Sequence, residues 1–202
     1  GRNSGDFVMF CRERDGERER WDGSREGPDG AIDNYAAADA FPIDDIDDIL
    51  PGIMESRRCV YYKMGAYAEF DVHVTEWVKS LRRRNGGSMQ TPHEFVALDH
   101  LLHDMRLYKS RTEISTMRSA ARVATAAHRK AMQVAAPGLH EFELEAELIA
   151  EFRRNNAVHS YSPIVGGGAN GCTLHYVTNA APLVDGDLVL IDAGCELDYY
   201  AS

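Results

Sequence analysis

No run of about 18 apolar residues occurs in this sequence, the minimum for a helix that crosses a bilayer. The first residues also lack the basic-then-apolar pattern of a secretory leader. Cysteine is scarce: Cys11, Cys59, Cys172 and Cys195 form no CxxC pair and are too few for a disulfide scaffold at 202 residues. Basic residues are in deficit, with 22 Lys and Arg against 32 Asp and Glu, and the formal charge of -10 repels phosphate backbones and anionic lipid headgroups. The expectation is a cytoplasmic protein whose partners are neither nucleic acid nor membrane. The Gly-x-Ser-x-Gly elbow of many esterases is missing. The aspartates at 44, 45, 47 and 48 lack the spacing and the glycine of a calcium loop. What is present, 44% hydrophobic and 27% charged side chains, is the composition of one large or two small globular domains.

Periodicity separates two halves. Residues 7–11 read as a buried strand, and residues 12–30 as a long polar loop or excursion. From Pro42 to Met54 the isoleucines and Leu50 fall at helical spacing, with the aspartates near the helix N-terminus where the backbone dipole favours negative charge. A short strand follows at 59–62. Phe70, Val74, Trp77, Val78 and Leu81 stripe a further helix, and Thr91-Pro92-x-Glu94 predicts the start of a short one. Alternating strands and helices imply an α/β layer. Ser110-Arg111-Thr112-Glu113 is a capping box, which predicts a long helix with an alanine-rich face: Ile114, Met117, Ala121, Ala124, Ala127 or His128, Ala131 and Val134. Pro137-Gly138 ends it. A second helix is expected from Glu141 to about Arg153, with Leu144, Leu148, Ile149 and Phe152 inward. Strands are then predicted at 163–165, 172–177 and 188–191. The domain boundary falls near 107–110, giving domains 1–108 and 109–202. Gly1 in place of a methionine, and a stop directly after a strong strand, suggest a fragment cut at both ends.

Two residues stand out chemically. Asp192 closes the apolar run Leu188 to Ile191, which reads as a strand buried on both faces. An acid there either caps a turn through its own backbone or holds a cation, because an unpaired buried carboxylate is costly. His175 lies in the predicted strand 172–177, either as a hydrogen-bonded core histidine or as an imidazole that binds a carbonyl or moves a proton. The run Gly166-Gly167-Gly168 precedes it without the lysine and helix of a phosphate cradle, so it fits a tight connection or a close backbone approach. His100 and His103 are spaced i, i+3 on a helix face with no further ligand nearby, and His128 and His140 are isolated.

Five blocks in order, Met105 to Ser110, Ala136-Pro137-Gly138, Tyr161 to Val165, Asn170 to Tyr176 and Asp187 to Glu196, resemble the Xaa-Pro aminopeptidases (aminopeptidase P). That group sits among the pita-bread metallopeptidases with prolidase, methionine aminopeptidase and creatinase. The resemblance implies an incomplete N-terminal α/β domain of creatinase and prolidase type over 1–108, and the first part of a pita-bread catalytic domain over 109–202. It assigns Asp192 as a ligand of a two-metal, usually manganese, centre. It makes His175 a catalytic and substrate-binding histidine, and Tyr161 a substrate-side residue. Trp21 matches an aromatic that reaches an active site across a subunit contact, as in a dimer or tetramer, or else anchors its own loop.

The implied reaction is release of the first residue from a peptide with proline second, by hydroxide bridging two divalent ions. In the family a second aspartate, a histidine and two glutamates complete the metal set beyond the position of Ser202. One aspartate alone leaves that set unfilled, so these 202 residues are expected to be inactive by themselves. A prolidase-type dipeptidase and a non-catalytic peptide-binding module on the same fold are the alternatives.

Overall fold

The computed structural model describes residues 7–84 and 91–202. The chain divides into two compact units, Gly1–Asp104 and Met105–Ser202, a few residues upstream of the expected 108/109 boundary. The division cuts helix α5 (Asp99–Leu107) near its C-terminal end rather than falling in a loop.

In the first unit, strand β1 (Val8–Cys11) pairs in parallel with β2 (Asp39–Pro42). The connection between them is not the unbroken loop that its polarity suggests. It carries the single turn α1 (Glu19–Asp22) and the helix α2 (Gly27–Tyr35). Asp15 Oδ1 accepts the N–H groups of Glu17 and Arg18 just ahead of α1, and Pro28 lies in the first turn of α2, where its missing N–H costs nothing. The α2 helix ends on Ala36 in the left-handed conformation, at φ 56°.

A 3-10 turn at Ile43–Asp45 leads into α3 (Ile46–Met54), as the isoleucine spacing predicts. Strand β3 (Cys59–Tyr62) follows, then α4 (Ala68–Arg84). Met54, Val74, Trp77, Val78 and Leu81 form this unit's larger core, with Val60, Tyr62 and Phe95 packed against it. The Thr91-Pro92-x-Glu94 helix start is a correction. Residues Glu94–Ala97 form β4, parallel to β3, and the helix begins only at Asp99. Phe95 explains it: the extended backbone places that ring against the α4 core, a tertiary gain that overrides a local helix signal. Among the acidic cluster, Asp47 accepts the Trp77 indole N–H at 2.8 Å and lies 3.0 Å from His73 Nδ1. It therefore ties α3 to α4.

The second unit opens with the capping box. Ser110 Oγ accepts the Glu113 N–H, and Glu113 accepts the Ser110 N–H. From it runs α6 (Arg111–Val134). Its buried line is Ala120, Ala124, Ala127 and Ala131, and these small side chains let α7 (Glu141–Arg154) lie close, with Leu144, Leu148 and Phe152 filling the seam. Ala120 rather than Ala121 is inward, so the stripe is rotated slightly from the expected one; Ile114 and Met117 stay over a third exposed. Asn156, in the left-handed region at φ 57°, turns the chain out of α7. Strands β5 (Val158–His159), β8 (Cys195–Leu197) and β9 (Tyr200–Ala201) make one small sheet, and β6 (Ile164–Gly167) pairs antiparallel with β7 (Val189–Asp192) to make another.

Two expectations fail here for one reason. Residues 172–177 are not a strand: a 3-10 turn spans Gly168–Cys172 and an irregular stretch follows, because no described strand offers these residues a ladder. The β7 strand is not buried on both faces either. Among the described residues it has β6 alone as a neighbour, with Leu190 44% exposed and Leu188, just before the strand, 88% exposed.

Candidate active site

The antiparallel register places Asp192 opposite Ile164, at the end of β7 and beside the chain that enters β6. Tyr161, three residues before Ile164, thus reaches the carboxylate, and its hydroxyl donates to Asp192 Oδ1 at 2.5 Å. The hydrogen bond to that carboxylate, joined by desolvation and by the carboxylate's charge, pushes the phenol up to about 12. Both residues stay open to solvent. The Asp192 carboxylate therefore keeps lone pairs free after accepting one bond.

His175 follows the 3-10 turn on the long segment between β6 and β7. It is exposed and lies on no strand, so the reading of it as a core histidine does not hold. No hydrogen bond joins it to Tyr161 or Asp192 among the described residues. Trp21 sits on α1 in the first unit, 90% exposed. His128, which the sequence leaves isolated, is a structural tie: its Nε2 is 3.0 Å from the Ala193 carbonyl, next to Asp192.

Sequence reasoning missed the group that shapes this region. Glu141, the first residue of α7, is wholly buried. One carboxylate oxygen accepts the Gly167 N–H at 2.8 Å and Asn170 Nδ2 at 3.0 Å. The other accepts the Tyr176 hydroxyl at 2.7 Å and the Ala181 N–H at 2.9 Å. Burial by itself would raise the acid, but those four donors outweigh it and hold the carboxyl below its ordinary value. One turn on, Glu145 accepts Asn179 Nδ2 at 2.8 Å. Asn179, buried and left-handed at φ 46°, also donates to the Pro163 carbonyl and accepts the Val165 N–H. The only advance sign was an acid at a helix N-terminus, which the backbone dipole explains without any partner.

A metal needs more than the chain offers here. Among the described residues no three His, Cys, Asp or Glu side chains come together as a metal site. Asp192 is thus a single candidate ligand, and these residues do not by themselves fit the dinuclear centre that the resemblance implies. No described helix is long and apolar enough to cross a membrane.

Comparison with known proteins assigns the two units. Residues 115–202 match the model of metallopeptidase family M24, and residues 1–61 match that of the aminopeptidase P N-terminal domain. The Xaa-Pro aminopeptidase of Escherichia coli (strain K12) is 40% identical over 195 residues, 96% of this chain and 44% of that protein. Xaa-Pro aminopeptidase 3 of Rattus norvegicus is 32% identical over 196 residues, 96% of this chain and 38% of that protein. Among solved structures, Pseudomonas aeruginosa aminopeptidase PepP superposes with a TM-score of 0.94 at 57% identity, over 100% of this chain and 46% of that one. A variant of Escherichia coli aminopeptidase P in complex with substrate superposes at 0.89 and 38% identity, over 97% of this chain and 44% of that one. The chain spans less than half the length of each of these relatives. An aminopeptidase P N-terminal match followed by an M24 match, with at least 96% of the chain aligned to proteins named Xaa-Pro aminopeptidase or aminopeptidase P, is the family likeness that this chain carries.

Proposed function

We propose that the protein to which these residues belong is an Xaa-Pro aminopeptidase, cleaving the bond between an N-terminal residue and a following proline. The observation that carries the reading is the Tyr161–Asp192 pair. An acid at a strand end, within the M24 match, accepts one hydrogen bond and faces solvent with lone pairs to spare. Divalent ions, manganese in the preferred reading and two in number, would supply the acidified water and the polarised carbonyl when bound. Asp192 would be one ligand, and the others would come from outside these 202 residues.

The chain's own residues then have plain tasks. Tyr161 holds the Asp192 carboxylate by its hydroxyl and lines the substrate side. His175, exposed on its segment, donates a hydrogen bond to the peptide carbonyl or hydrogen-bonds the departing residue. Trp21, nearly free of its own unit, suits a role at the active site of a neighbouring subunit in a homo-oligomer. The acidic surface fits a cytoplasmic enzyme acting on peptides, and these 202 residues alone are inactive.

The test is release of the first residue from an Xaa-Pro-Xaa peptide by the intact protein with manganese, and its loss in Asp192→Asn. Cleavage of Xaa-Pro dipeptides only would favour prolidase chemistry instead. Calorimetric titration of the 202-residue chain with manganese is expected to show no tight stoichiometric binding. A tight one-to-one or two-to-one complex would overturn the assignment of the missing ligands.

A further inference from the structure

We infer that Glu141 is a positioning residue for His175: its buried carboxylate fixes the segment between β6 and β7 that carries the histidine. The inference rests on the aminopeptidase reading for its kinetic consequence, though not for its structural one.

The segment has no ladder to hold it. Among the described residues, 173–178 pair with no strand, and Leu174 and Val177 are 88% and 57% exposed, so apolar burial does little to order them. Glu141 supplies what the sheet does not. Its four donors are Gly167 and Asn170 at the start of the segment, Tyr176 next to His175, and Ala181 near its end. The Glu141 N–H also donates to the Ala181 carbonyl at 3.0 Å. Asn170 Nδ2 lies 3.1 Å from the Tyr176 oxygen as well, which closes a ring of three side chains. With two donors on each oxygen the carboxylate is saturated. It is therefore spent on geometry, with no lone pair free for a cation or a substrate.

The ionised form is essential to this. A carboxylate is an acceptor only, and all four facing groups are donors. Glutamine at 141 would turn two N–H bonds toward at least one backbone N–H that cannot reorient. The α6/α7 core, which takes in Val165 and Leu183 as well as alanines, leucines and Phe152, is apolar and has no charged member. Movement of the His175 segment should therefore be separable from loss of the fold.

The experiment uses the intact protein and compares Glu141→Gln, Tyr176→Phe, His175→Ala and the double variant Glu141→Gln/His175→Ala. Hydrogen exchange of residues 167–181 is expected to accelerate in Glu141→Gln far more than that of α6 and α7. On Xaa-Pro-Xaa peptides kcat/KM should fall roughly 10- to 100-fold, the scale of an ångström-sized misplacement. Tyr176→Phe, which removes one donor and keeps the ring, should show a smaller fall. In the His175→Ala background the Glu141→Gln change should add less than about twofold, because the two act through one group. A full, independent loss in both backgrounds, or unchanged exchange across 167–181, would overturn the inference. If the wild-type protein cleaves no such peptide, the aminopeptidase reading falls, and the exchange data alone still decide whether Glu141 holds the segment. Should Glu141→Gln not fold, the Tyr176→Phe and His175→Ala cycle makes the same decision.

Discussion

Two acids of the second unit, Glu141 at the start of α7 and Asp192 at the end of β7, have opposite lives. Glu141 is fully buried and takes four hydrogen bonds, while Asp192 is exposed and takes one, from Tyr161. A saturated carboxylate has spent its lone pairs on the fold; an unsaturated one keeps them for something that arrives. On the proposed function, this difference, more than residue type, separates a residue that builds the site from one that would take part in its chemistry. It also explains why Asp192 attracts notice in the sequence and Glu141 does not. Asp192 interrupts an apolar run, whereas Glu141 has the local setting of any ordinary acid at a helix start.

The contrast breaks if removing the two side chains costs the same. Glu141→Ala should destabilise the Met105–Ser202 unit by about 3 kcal/mol or more, since several buried donors lose their acceptor. Asp192→Ala should cost within about 0.5 kcal/mol, as expected at an exposed position. Native-state hydrogen exchange of α6 and α7 in the intact protein measures both. Equal losses would mean that burial and bond number do not distinguish the two acids.

Acid titration probes the same contrast more gently. The folded Glu141 carboxyl lies below its ordinary value of 4.5, so the stability it gives is fully present above that value. That stability is lost as pH falls through the lower folded value. Glu141→Gln should flatten the stability profile below about pH 4.5, measured by exchange or by denaturant midpoints across pH. A variant whose acid limb matches the wild type would assign that limb to other carboxylates, with Glu113, also held low by the Ser110 N–H and the Tyr200 hydroxyl, first among them.

The smallest effect is spectroscopic. Tyr161 is held up to about 12 in the fold, so the contribution of its proton is complete below the ordinary value of 10 and lost as pH rises through about 12. Asp192→Asn removes the accepting charge and should bring that phenol back toward 10, visible as one tyrosinate absorbing earlier in an ultraviolet titration. No change would mean that the hydroxyl does not face the carboxylate in solution.

Much of the scaffold was legible because it rests on local signals. The capping box at Ser110 and Glu113 starts α6, Pro137-Gly138 follows its end, and the leucines of α7 recur at helical spacing. The five blocks carried the family. Elements that depend on a distant partner were not legible. The 94–97 stretch is a strand because β3 lies beside it, and 172–177 is not one because no described strand does. Within the site, Asp192 and Tyr161 could be named from the sequence, but their mutual hydrogen bond follows from the β6–β7 register, which aligns residues 28 positions apart.

Composition, charge and periodicity settle the mixed α/β character, the acidic surface and the two long helices, since each arises from residues close together in the chain. The order of the blocks carries the family resemblance. The state of each acid was left to tertiary structure, because a carboxylate's role depends on how many donors the fold turns toward it. Those donors come from 26 to 40 residues away for Glu141 and from 31 for Asp192. No local pattern encodes that count, and it is the count that makes one acid a support and leaves the other open.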